Sequence, residues 1–75
     1  MLDYKTIMGD LLVFKDKSTL TISRGGLGEP WIDTIEVDGE QIDYKDYDDE
    51  TKHPFTEQEI DYFINHYEYI VGSKY

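Results

Sequence analysis

The stretch FTEQEIDYFINHYEYIVG, Phe55 to Gly72, decides the fold. Thr56 can accept a bond from a free amide of a first helical turn, and Glu59, three residues on, can reach back to the Thr56 amide. Together they form a capping box. Phe55 and Ile60 occupy the two positions of a hydrophobic staple, and Pro54 keeps His53 out of helical geometry. Glu57, Glu59 and Asp61 sit near the positive end of the helix dipole. The spacing therefore predicts one helix over Thr56 to Val71, closed by a left-handed Gly72 with Lys74 after it. At about 100° per residue, Ile60, Phe63, Ile64, Tyr67, Ile70 and Val71 share the core face. Tyr62, His66 and Tyr69 fall outside that arc in a row, either lying on neighbouring loops or forming a contact ridge for another protein.

Upstream, the chain reads as a small sheet covering the apolar side of this helix. Asp38-Gly39 between Trp31–Val37 and Glu40–Tyr44 is a strong two-residue hairpin signal. In that register Val37 opposes Glu40, Ile35 opposes Ile42 and Asp33 opposes Tyr44. Ile35, Val37, Ile42 and Tyr44 then face the helix, and Thr34, Glu36, Gln41 and Asp43 face away. Leu11 to Lys15 and Thr19 to Ser23 form an earlier hairpin around Asp16, Lys17 and Ser18. The first ten residues match both helical and strand periods and are assigned a strand broken at Gly9. Arg24 to Pro30 is a glycine-rich connection without the spacing of a phosphate-binding loop. Lys45 to His53 is expected to be an exposed acidic loop. The expected fold is α+β in a single domain over residues 1–75: an antiparallel sheet of three or four strands, built from two hairpins, against one C-terminal helix.

Seventeen acidic residues stand against seven lysines and arginines, giving a formal net charge of −10. Such a surface repels nucleic acid and anionic membranes and attracts basic protein surfaces. With 75 residues and no cysteine, the chain has neither a disulfide framework nor a thiolate zinc site, and a reducing cytoplasm suits it. No segment has the length and apolarity of a membrane span, and the start lacks the pattern of a signal peptide.

Asp46, Asp48, Glu50 and Glu57 match four positions of a calcium loop. Thr51 stands where the turn needs glycine, however, and Pro54 interrupts the pattern. His53 and His66 are too separated to suggest a metal pair and read as surface histidines. Carboxylates are so abundant that any pairing among them is uninformative, and no nucleophile signature occurs. The expectation is a protein that is not an enzyme and uses neither cofactor nor metal.

Twelve of the seventeen carboxylates lie between Asp33 and Asp61, and a row of carboxylates can imitate a row of phosphates. The overall character of the chain is small, very acidic, and rich in tyrosine and hairpin turns. In composition it is similar to phage-encoded nucleic-acid mimics that block host nucleases, restriction enzymes or CRISPR effectors. The resemblance implies an inhibitor or adaptor acting in the host cytoplasm. Its partner would be a basic groove on another protein, with no direct nucleic-acid or membrane binding. The candidate contact residues are Glu36, Asp38, Glu40, Asp43, Asp46, Asp48, Asp49 and Glu50, with Tyr62, His66 and Tyr69. The alternative is an assembly module that pairs with itself, as a homodimer, or docks in a larger complex through sheet edges and the Tyr62/His66/Tyr69 ridge.

Overall fold

The computed structural model describes residues 2–24 and 28–72. Five strands form one antiparallel sheet in sequence order, β1 (Asp3–Ile7), β2 (Asp10–Lys15), β3 (Ser18–Ser23), β4 (Trp31–Val37) and β5 (Glu40–Gln41). Two helices follow, α1 (Glu57–Asn65) and α2 (Tyr67–Gly72). The α+β class is as expected, but the sheet has five strands where three or four were expected, because Met8 and Gly9 turn the chain instead of merely breaking a strand. Residues 25–27, within the glycine-rich connection, and Lys74 lie outside the described residues.

Three hairpins share one device. Met8-Gly9, Asp16-Lys17 and Asp38-Gly39 all have positive φ at both turn positions, the geometry whose twist matches that of the flanking strands. The Val37–Glu40 register is as read from the sequence. At the middle turn no glycine is present, and Lys17 holds φ +63°. A side chain there costs about 1 kcal/mol relative to glycine. Lys17→Gly is therefore expected to raise the thermal midpoint by roughly 4–8 °C, checked by calorimetry against the wild type.

Side chains alternate across the sheet. Leu11 and Val13 of β2, Leu20 and Ile22 of β3, and Ile35 of β4 are fully buried on one face. A register shift between Thr21 and Ile22 lets Ile22 pair with Ile32, so β4 returns an apolar residue to the core side after one extra residue.

Two pieces of chain close that face. The helices contribute Ile60, Phe63, Tyr67 and Val71, all from the arc read in the sequence. The second piece is the segment Lys45 to His53, expected to be an exposed loop, which inserts Tyr47 and His53 into the interior next to the staple residue Phe55. β5 ends at Gln41, and Tyr44 therefore leaves the sheet for a short 3-10 helix (Tyr44–Asp46), where it is 81% exposed. Asp33 has no partner on β5, correcting the expected Asp33–Tyr44 pair.

The capping box at Thr56 is present in both directions. The expected single helix is divided at His66, whose Nδ1 donates to the Tyr62 carbonyl at 2.7 Å while its backbone amide also reaches that oxygen. A side chain competing for a helical carbonyl disturbs the ladder at that turn. Gly72 ends α2 as a helical residue, and the positive-φ glycines among the described residues are Gly9 and Gly39. α2 packs chiefly on β2, and Phe63 of α1 meets the Tyr4 ring of β1 at 5.6 Å. The helices thus lie over the first strands, not over the last hairpin as expected.

Candidate protein-binding surface

The eight carboxylates of the acidic band begin at the edge of the sheet opposite β1 and continue along the connection to α1. Glu36 stands on the outer face of β4 opposite Gln41, Asp38 is in the turn and Glu40 begins β5. Only these belong to the hairpin. The remainder ride a chain of short turns, because the Asp46, Asp49 and Lys52 amides donate in succession to the Asp43, Asp46 and Asp49 carbonyls at 2.9, 3.1 and 2.9 Å. Three-residue steps of this kind bring side chains to one side at intervals of roughly 6 Å. Asp43, Asp46 and Asp49 therefore follow one another along the turns, giving order to a stretch read from the sequence, from Lys45 onward, as a loop.

The turns are fastened from both ends. Asp43 caps the 3-10 helix through the Lys45 amide. Asp49 Oδ1 accepts from the Thr51 hydroxyl at 2.6 Å and the Thr51 amide at 2.9 Å. The Thr51 hydroxyl first, then its amide, with Lys52 nearby, hold the Asp49 carboxyl below its ordinary value of 3.8. Beneath them His53 is 5% exposed, which corrects its assignment to the surface. Its Nε2 donates to the Tyr47 carbonyl at 2.8 Å, and its Nδ1 accepts from the Phe55 amide at 3.2 Å. That pattern defines a neutral ring protonated at Nε2.

At the far end of the band, Glu50, Glu57 and Asp61 line one notch with Thr56 and Gln58. This notch joins the loop carboxylates to those of the first helical turns. Among the described residues no group of three or more His, Asp or Glu side chains is placed to hold a metal ion.

Two ion pairs occur among the described residues, Lys15–Glu59 and Arg24–Glu68. Neither uses a carboxylate of the band. Lys15 Nζ lies 2.9 and 3.0 Å from the two Glu59 oxygens and 2.9 Å from the Pro54 carbonyl, fastening β2 to the start of α1. Arg24 pairs with Glu68 and sits 5.7 Å over the Tyr67 ring, while the Tyr67 hydroxyl donates to the Gly9 carbonyl. The single guanidinium is therefore a clamp between β3 and α2. Lys45 and Lys52 lie within the band's own stretch of chain.

Tyr62, His66 and Tyr69 are exposed, as their position outside the core arc requires. Tyr62 stacks on His66 at 4.1 Å and meets Phe63 edge-on at 5.1 Å. This ridge borders β1, not the acidic band: Tyr69 shares a groove with Tyr4, Lys5 and Thr6, and Tyr62 shares one with Leu2 and Phe63. The structure thus divides the candidate residues into the hairpin carboxylates on β4 and β5 and the aromatic ridge beside β1, with Gln58 lining both the Tyr62 groove and the notch of Glu50. Sequence reasoning placed Tyr4 in the strand alternation of the ambiguous first ten residues but missed its position beside the ridge, which only the tertiary packing on Phe63 supplies.

The architecture defines a five-stranded antiparallel α+β domain. No family model, curated protein or solved structure matches this chain. Among the described residues no helix is long and apolar enough to cross a membrane.

Proposed function

We propose that the chain is a small acidic inhibitor or adaptor that occupies a basic groove of a nucleic-acid-handling protein. The observation that carries this reading is the absence of ion pairing, among the described residues, for Glu36, Asp38, Glu40, Asp43, Asp46, Asp48, Asp49 and Glu50. A carboxylate already neutralised inside its own chain contributes little to a partner's field, whereas these retain theirs. Scale supports the reading as well. Duplex DNA as long as the 36 Å principal axis carries about 21 phosphate charges, and a net −10 is close to half of that. The notch of Glu50, Glu57 and Asp61 extends the negative field around the helix start.

Binding of this kind weakens with salt and competes with polynucleotide. The test is capture of proteins from a lysate at low salt, with elution by duplex DNA. A second column carries Glu40→Lys, Asp43→Lys and Asp46→Lys together. Wild type is expected to retain a protein that DNA releases, and the variant to bind it on the order of a thousandfold more weakly, since close interfacial charge pairs are worth about 1.5 kcal/mol or more each. Equal retention by the variant, or release by detergent but not by DNA or salt, would overturn the proposal.

A further inference from the structure

The sheet has two unlike edges. One ends in β5, only two residues long, and the part of β4 beyond it carries the bulge at Asp33. The other is β1, Asp3–Ile7, which contains no proline, and among the described residues no strand pairs with its outer side. Unpaired strand edges of this kind are templates for a further strand.

The β1–β2 hairpin fixes which backbone groups point outward. Ile7 and Asp10 flank the two-residue turn and form a hydrogen-bonded pair, as do Lys5 with Leu12 and Asp3 with Phe14 in alternation. Tyr4 and Thr6 therefore direct their N–H and C=O groups to the open side. Side chains alternate too. The Tyr4 ring lies on the helix side against Phe63, and Asp3 and Lys5 lie on the opposite face, where Lys5 Nζ sits 5.7 Å over the Phe14 ring.

We infer that β1 pairs antiparallel with β1 of a second copy, about a two-fold axis at Tyr4. In that register Tyr4 exchanges both backbone bonds with the partner's Tyr4, and the two rings meet on the helix side. Asp3 faces the partner's Lys5 and Lys5 faces the partner's Asp3, in non-hydrogen-bonded pairs whose Cα atoms are about 4.5 Å apart and whose side chains are close. The neighbouring registers lack this complementarity. Centring on Lys5 sets lysine against lysine, and centring on Thr6 sets Lys5 against Ile7 and leaves Asp3 unopposed. An unmatched lysine in an edge strand deters pairing; here an aspartate two residues away supplies its match.

The surroundings fit a second copy. Tyr4 is 51% exposed, and Tyr62 and Tyr69, at 52% and 79%, line the grooves beside it. Each ridge would therefore approach the two-fold axis. The hairpin carboxylates Glu36, Asp38 and Glu40 lie across three to four strand spacings, about 14–19 Å away. That exceeds the screening length of ~10 Å at 0.1 M salt, so the hairpin carboxylates of the two copies do not oppose a meeting at β1, and Glu59 beside it is paired with Lys15. The result is a continuous ten-stranded sheet with a band at each outer edge, a property independent of what the bands bind.

The test is sedimentation velocity of the full chain across a dilution series, with circular dichroism confirming each variant folded. The wild type is expected to dimerise reversibly. Asp3→Lys alone and Lys5→Glu alone each turn two attractive pairs repulsive, and should raise the dimer Kd on the order of thirtyfold. The double variant, Asp3→Lys with Lys5→Glu, keeps the net charge and reverses the sign of both pairs, and should return to within about threefold of wild type. A wild type that stays monomeric throughout, single variants that dimerise as well as wild type, or a double variant no better than the singles would each overturn the inference. If a single variant loses its fold, Asp3→Asn and Lys5→Gln replace the pair and are expected to weaken dimerisation by a smaller factor, while unchanged association would again count against it.

Discussion

His53→Ala is expected to destabilise the domain by about 3 kcal/mol, read as a lower urea midpoint at unchanged slope. The ring is buried and bonded at both nitrogens. Its removal leaves the Tyr47 carbonyl and the Phe55 amide without their partner, at about 1–3 kcal/mol each where water cannot reach them, and opens a cavity beside Phe55. A domain of this size commands only about 3–5 kcal/mol in all, so much of the variant would be unfolded at 37 °C. His53→Gln, whose amide can accept from Phe55 and donate to Tyr47, should recover part of the loss. A drop below about 1 kcal/mol for His53→Ala would contradict the role assigned to the ring. The consequence reaches the acidic surface, because His53 anchors the turns that carry Asp43, Asp46 and Asp49.

Glu59→Gln should have the next largest effect, about 2 kcal/mol near neutral pH. The carboxylate accepts from the Thr56 amide at 2.9 Å and from Lys15, so one side chain caps α1 and ties it to β2. Burial pushes its carboxyl upward, but the Thr56 amide and Lys15 together outweigh that and hold it below the ordinary 4.5. A carboxyl lowered in the folded state lends stability that is complete above 4.5 and disappears as pH falls through the folded value. The stability difference between wild type and Glu59→Gln should therefore be constant from pH 7 down to about 5 and shrink at lower pH. Comparing the two proteins removes the relief of self-repulsion that acid brings to the whole chain. A difference that stays constant down to pH 3 would show that the charge of Glu59 contributes nothing.

Much of this molecule was legible in its sequence because its signals are local. Thr56 with Glu59 and Asp38 with Gly39 each act within four residues and appear as read, and Phe55 and Ile60 are both buried in the core. The core stripe of the helices was equally legible, since a 3.6-residue period survives a break at one turn. What was illegible depends on distance or lacks a period. Tyr47 and His53 enter the core from irregular backbone in a strongly polar stretch, so no window average reveals them. Lys15 finds Glu59 across 44 residues. The hairpin at Asp16 and Lys17 reads as a three-residue turn, but without a glycine to fix its length the sequence did not show that Ser18 belongs to β3 and pairs with Lys15. The acidic residues themselves were plain from composition, but their backbone was not: hairpin for Glu36, Asp38 and Glu40, successive turns for the rest.

The sheet runs strictly from one neighbour to the next, and this bears on how the chain acquires its structure. Each strand meets its mate across a short closure, so most pairing can assemble early at small entropic cost. The bonds that arrive late are those joining the helical end to Gly9, Lys15 and Arg24, separated by 44 to 58 residues. Weakening these clasps should therefore hasten unfolding far more than it slows folding.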